Sequence, residues 1–212
     1  MKKSIIILCS ISIFFATTLK AQTDLDAREN FILGAKVGLN SSNVWDESGQ
    51  DFAADAKIGL AAGVFFGIPL NKVVGFQPEL LISQKGFQGS GTLITIPYSY
   101  KLTTTYLDIP LQVQIKPIEF LTIVAGPQYS YLINSKTNFT VGDASSEVEQ
   151  AFENENIRKN ILGFVLGADV NLSFLVISGR LGWDFLKNNG DGTSVTPRYR
   201  NQWIQLTVGA RI

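Results

Sequence analysis

The chain contains no histidine and one cysteine, Cys9. Without histidine, a Ser–His–Asp hydrolase, a His-dependent lipid deacylase and an Asp–His protease are excluded on composition. Cys9 lies in an apolar leader and has no small-residue lipobox around it. Once the leader is removed, the chain has no thiol nucleophile, thiolate metal site or disulfide. Charge of one sign is missing too: Lys plus Arg equals Asp plus Glu at 18 each, so no basic surface advertises nucleic acid. Beyond residue 21 no run approaches the roughly 20 apolar residues of a spanning helix, so entry into a membrane would require a closed barrel.

Residues 1–21 are set aside first. Lys2 and Lys3 precede the apolar runs Ile5–Leu8 and Ile11–Phe15, and "LKAQ" offers a cleavage site after Ala21. This predicts a secretory signal peptide. A segment 22–30 on the periplasmic side and one domain over 31–212 make up the rest.

That domain is dominated by period-two alternation. In "TYLDIPLQVQIKP" (105–117), Leu107, Ile109, Leu111, Val113 and Ile115 fall on one side, and Tyr106, Asp108, Gln112, Gln114 and Lys116 on the other. This is the pattern of a strand with one greasy and one polar face. Eight such segments run over 31–40, 57–68, 74–85, 103–117, 120–133, 160–171, 175–186 and 201–212. "PLNKV", "PIEF" and "NLSF" connect them briefly, whereas Ser41–Ala56, Gly86–Leu102, Asn134–Lys159 and Lys187–Arg200 are long polar links. Short turns at one end and long loops at the other predict an all-β fold. The expected architecture is an eight-stranded antiparallel up-and-down transmembrane β-barrel with short periplasmic turns and long extracellular loops.

In that arrangement the greasy faces meet lipid and the polar faces line the lumen. The predicted lumen charges are Lys36, Lys57, Glu79, Lys85, Asp108, Asp169, Arg180, Asp184 and Arg211. Gln77, Gln112, Gln114, Gln205 and Thr207 accompany them, and inward glycines such as Gly34, Gly167, Gly182 and Gly209 make room for long side chains. A soluble lipocalin-like barrel would either expose the greasy stripes to water or enclose a heavily apolar cavity. Pro110 lacks a ladder donor, which predicts a bulge or a strand entry there, and Pro78 and Pro127 raise the same question.

Three stretches carry a family resemblance: "GFQPELLISQKG" (75–86), "YLDIPLQVQIKP" (106–117) and "VAGPQYSYLI" (124–133). From about residue 31 onward the chain resembles the PorT-like outer-membrane β-barrel family, small porin-type proteins of Gram-negative bacteria. Glu79–Leu80, Ile109–Pro110 and Gly126–Pro127 match its motifs. The resemblance implies a barrel in the outer membrane without implying a reaction; the founding member's role in secretion does not transfer on these residues. Such barrels usually end in an aromatic residue read by the insertion machinery, whereas this chain ends in Ile212.

Glu79 and Asp108, on neighbouring strands, are the carboxylate pair to inspect for acid–base work, although inward acids more often pair with Lys or Arg. "NNGDGT" (188–193) lacks the ligand spacing of a calcium loop and is a turn former first. "DASSEVEQAFENEN" (143–156) reads as a solvated loop with some helical character, or as a divalent-cation bridge to lipopolysaccharide. "GSGTLITIPYSYKLTTTY" (89–106) continues the fourth strand's pattern, so strands three and four are expected to protrude as a hairpin. No enzyme activity, cofactor or metal is expected. The expected partners are outer-membrane lipid and lipopolysaccharide, the barrel-insertion machinery, and an unidentified surface or secretion partner. The leading reading is a structural or surface-interaction protein with a lumen filled by side chains; a narrow pore for ions or small solutes is the alternative.

Overall fold

The computed structural model describes residues 27–45, 54–93, 96–142, 144–150, 158–188 and 198–212. The predicted signal segment 1–21 lies outside them, as do most of 188–193 and 151–156. The chain forms antiparallel strands β1 (Ile32–Trp45), β2 (Asp55–Pro69), β3 (Val74–Leu93), β4 (Ile96–Ile118), β5 (Leu121–Val141), β6 (Ala144–Gln150), β7 (Asn160–Leu172), β8 (Leu175–Asp184) and β9 (Arg200–Arg211). Consecutive strands pair except β6 with β7, β7 pairs with β5, β9 returns to β1, and the β4–β5 pairing closes the sheet. The ring contains eight strands. β6 stands outside it, paired only with the upper half of β5 from Ser135–Gln150 to Val141–Ala144, while the lower half of β5 pairs with β7.

Alternation decides the faces. Val37, Leu39, Ile58, Leu60, Leu80, Ile82, Leu111, Val113, Ile204, Leu206 and Val208 are exposed on the outside, whereas the residues between them point inward and are mostly buried. An apolar exterior around a polar interior inverts a soluble protein and matches a barrel wall in hydrocarbon. Aromatic residues flank the belt: Phe31, Phe120 and Phe174 at the short-turn end, and Trp45, Tyr129 and Phe185 toward the long-loop end. Rings with one apolar and one wetted side collect at such borders.

The strands are unequal. β4 has 23 residues and β8 only 10, so one side of the wall rises well beyond the belt. The β3–β4 ladder keeps one register from Val74–Ile115 to Leu93–Ile96. The link read as the loop Gly86–Leu102 is therefore almost all strand, consistent with the protruding hairpin expected from 89–106. The link Asn134–Lys159 is corrected as well. β5 continues to Val141, the chain turns at Gly142 in a left-handed conformation (φ 56°), and β6 runs back where a loop with helical character was expected. Glycine adopts that φ without the steric cost other residues meet.

Pro110 is not at a bulge or a strand entry. It sits fully buried in mid-β4, and the bulges against β5 fall at Thr105/Tyr106 and Ile115/Ile118. The missing amide is accommodated by skipped ladder positions: β3–β4 pairing jumps from Pro78–Leu111 to Leu81–Asp108 without changing register.

Candidate functional site: the barrel lumen and its mouths

Inward positions on opposite walls bring the predicted charges together in two tiers. The lower tier is a neutral quartet. The Arg180 guanidinium forks onto Asp169, with Nη1 to Oδ1 at 2.6 Å and Nη2 to Oδ2 at 3.1 Å, and Nη2 also reaches Glu79 Oε1 at 3.1 Å. Lys36 Nζ donates to Glu79 Oε2 at 2.5 Å. Gln77 Nε2 bridges the two acids, donating to Glu79 at 2.8 Å and to Asp169 at 3.1 Å, and Gln114 donates to the Gln77 carbonyl. β3 and β8 stand four places apart in the ring of eight, so the Arg180–Glu79 pair spans the bore. Two buried cations meet two buried anions, the arrangement that offsets the desolvation cost of each.

The upper tier centres on Lys85. Its Nζ donates to Asp108 Oδ1 at 3.1 Å and to Ser130 at 3.4 Å, and Ser83 Oγ donates to Asp108 at 2.5 Å. The ammonium also lies 3.8 Å from the Trp203 ring centre and 5.0 Å from that of Tyr106. A cation over such faces gains about 0.5–2 kcal/mol. Asp184 accepts from Asn201 Nδ2 at 2.7 Å. Lys57 is buried near the long-loop end, its Nζ donating to the Ile58 carbonyl at 3.4 Å. Arg211 is half-buried at the short-turn rim, where Nε donates to the Ser173 carbonyl at 2.7 Å, away from both tiers. Glu79 and Asp108 are held in separate tiers by different cations.

Among the described residues, side chains pack at both ends of the lumen. At the long-loop end Val44, Phe87 and Tyr199 form a buried cluster with Ala54, Tyr100 and Leu102 against it. Phe87 meets Tyr199 edge-on at 5.1 Å between ring centres. At the other end the buried Lys116 donates from Nζ to the Arg28 carbonyl at 2.8 Å and tethers the 3₁₀ turn Ala27–Glu29. Lys116 was not among the predicted lumen charges, although its parity with Gln112 and Gln114 places it inward. Trp203 shares parity with Gln205 and Thr207, and that signal was equally present.

The inward glycines serve rings as well as long cations. A Cβ on Gly167 would meet Arg180 Cδ at 2.6 Å, but one on Gly182 would sit 2.2 Å from the Trp203 ring and one on Gly34 2.2 Å from the Phe65 ring. Gly182→Ala is therefore expected to displace the ring over Lys85 and to cost about 1–3 kcal/mol. The check is the temperature at which the compact band converts to the unfolded one on a heat-modifiability gel.

Among the described residues there is no cluster of three or more side chains able to hold a metal ion. No helix among them is long and apolar enough to cross a membrane.

None of the curated proteins matches the chain. Among solved structures it is similar to Ail, the attachment invasion locus protein of Yersinia pestis, in complex with a heparin analogue, at 13% identity, covering 86% of this chain and 99% of that one with a TM-score of 0.46. It is also similar to Neisserial surface protein A (10% identity, 85% and 96% covered, TM-score 0.41). A third is OprG of Pseudomonas aeruginosa (13% identity, 89% and 99% covered, TM-score 0.39). Residues 20–188 match the outer membrane protein beta-barrel domain, most of the chain. The closed ring of strands agrees with that match, and the chain belongs to the family of outer membrane protein beta-barrel domains.

Proposed function

We propose that this chain is a closed outer-membrane barrel that conducts little or nothing and acts as a structural or surface-interaction protein through its extracellular sheet and loops. The observation that carries this reading is the Arg180–Glu79 pair across the bore, with Lys36 and Asp169 completing it. A ring of eight strands is just wide enough for its interior to be filled by side chains. Here that filling is ionic and its partners lie on opposite walls, so opening a path would strand buried charges. No catalytic role is assigned to Glu79 or Asp108. The three quoted motifs support a PorT-like relationship within the wider family, and the N-terminal composition supports export with cleavage after Ala21.

Planar-bilayer recording of the purified protein tests the closed lumen. The expected result is no steady conductance. Reproducible open steps that change in size with Lys85→Ala would replace this reading with the pore. Fractionation tests the location: the mature chain is expected in the detergent-requiring outer-membrane pool, and recovery as a soluble periplasmic protein would overturn it.

A further inference from the structure

The outward face of the protruding sheet changes character at a sharp line. On β3 and β4 the last apolar outward pair is Ile82–Leu107; the next are Gln84–Thr105, Gly86–Thr103, Gln88–Lys101 and Ser90–Ser99. The β3–β4 register is unbroken across that line, so on these two strands the polar face continues the lipid-facing wall upward, while the β4–β5 ladder crosses it with a bulge at Thr105/Tyr106. β5 extends it, setting Asn138 opposite Lys101 and Thr140 opposite Ser99. The face is also concave: a cleft of about 360 Å³ is lined by Asp55, Gln88, Ser90, Lys101, Asn138 and Thr140, among others. That volume lies in the range of small-ligand sites.

We infer that this cleft binds the saccharide of the surrounding lipopolysaccharide leaflet, centred on Gln88, Lys101 and Asn138. The inference rests on the outer-membrane placement proposed above. Height selects the ligand. Gln88 lies six residues beyond Ile82, roughly 20 Å along a strand. At the usual tilt of such strands that is about 15 Å above the hydrocarbon border. The headgroup layer accounts for only about 5–8 Å of it. The cleft therefore stands above the lipid phosphates, at the level of the sugars. Its chemistry agrees. Amides and hydroxyls offer donors and acceptors to a polyhydroxylated ring, and Asp55 and Lys101, one charge of each sign in the lining, give the cleft no excess of positive charge. The neighbouring surface is already that of the leaflet, so a saccharide anchored in the same leaflet reaches the cleft without leaving it.

The test uses the full-length chain in detergent and three probes: lipopolysaccharide carrying its core oligosaccharide, lipid A without core, and phospholipid. Native mass spectrometry reads which probes are retained, and a titration with the free core oligosaccharide reads the contact without the acyl chains. Wild type is expected to prefer core-bearing lipopolysaccharide over lipid A. Gln88→Ala/Lys101→Ala/Asn138→Ala is expected to lose that preference and to weaken the free oligosaccharide about tenfold, or about 1.4 kcal/mol, while Lys72→Ala at a short turn leaves both unchanged. All three substitutions are on the exposed face, so the variant should still insert and keep its heat-modifiable mobility. Equal retention of lipid A and core-bearing lipopolysaccharide by wild type would overturn the inference, as would a triple variant that keeps the preference. Recovery of the wild-type chain as a soluble periplasmic protein on fractionation would instead overturn the membrane placement itself.

Discussion

Arg180→Met is expected to destabilise the barrel by about 3–5 kcal/mol, the range found when one partner of a buried ion pair is removed. Arg180 forks onto Asp169 and reaches Glu79, and all three side chains are almost completely shielded. Its loss leaves Asp169 with the Gln77 amide as its remaining hydrogen-bonding partner in the tier, and leaves Glu79 with Lys36 and Gln77. A urea titration followed by heat-modifiable mobility measures the loss. Adding Asp169→Asn to Arg180→Met should recover part of it, because the stranded charge is then gone; groups in one network do not add independently. A single-variant cost below about 1 kcal/mol, the scale of an exposed pair, would mean that water enters the bore and that the filled-lumen reading fails.

The second large effect is on the opposite face. Leu111 lies midway along the outward apolar row of β4 that runs from Leu107 to Ile115, and it is exposed. Leu111→Arg is expected to cost about 2–4 kcal/mol in a bilayer, as charges at the midplane of such barrels do. Thr103→Arg is on the same face of the same strand above the Ile82–Leu107 line, and it should stay within about 0.5 kcal/mol. The same refolding titration in lipid vesicles compares them. Equal costs at the two positions would show that the hydrocarbon border has been drawn in the wrong place.

What could be read from the sequence was whatever depends on contrast between the two faces. Where Leu, Ile and Val alternate with Gln, Asp and Lys, as over 106–116, both the strand and its orientation follow from one row of letters. The contrast disappears above the belt, because water lies on the outer side and the outward residues turn polar as well. Ser135–Val141 and Ala144–Gln150 are strands because they pair with each other, not because either has a greasy face. The acidic composition of 143–156 therefore pointed to a loop. Pairing across the lumen was similarly hidden. Parity places Glu79 and Arg180 inward, yet only closure of the ring sets β3 against β8 and makes them partners. Parity would have added Lys116 to the inward charges, whereas its partner, the carbonyl of Arg28, belongs to a turn ahead of β1 that carries no alternation.

The seam of the ring lies between its first and last strands: Gly34 of β1 stands beside Arg211 of β9, and the ladder runs on to Trp45 and Arg200. Hairpins such as β3–β4 can form from neighbouring sequence, but this seam joins the two ends of the domain and carries the largest loop-closure entropy of any pairing in the ring. Arg180 on β8 reaches Glu79 on β3 only when the walls face each other. Before the seam forms, the same carboxylates and cations line an open, curling sheet that exposes unpaired backbone along two edges. Pairing of the lumen charges is therefore coupled to closure of the ring. A chain lacking β9 would keep its inward charges but have no strand to close against β1, so the walls carrying Arg180 and Glu79 would not be held face to face.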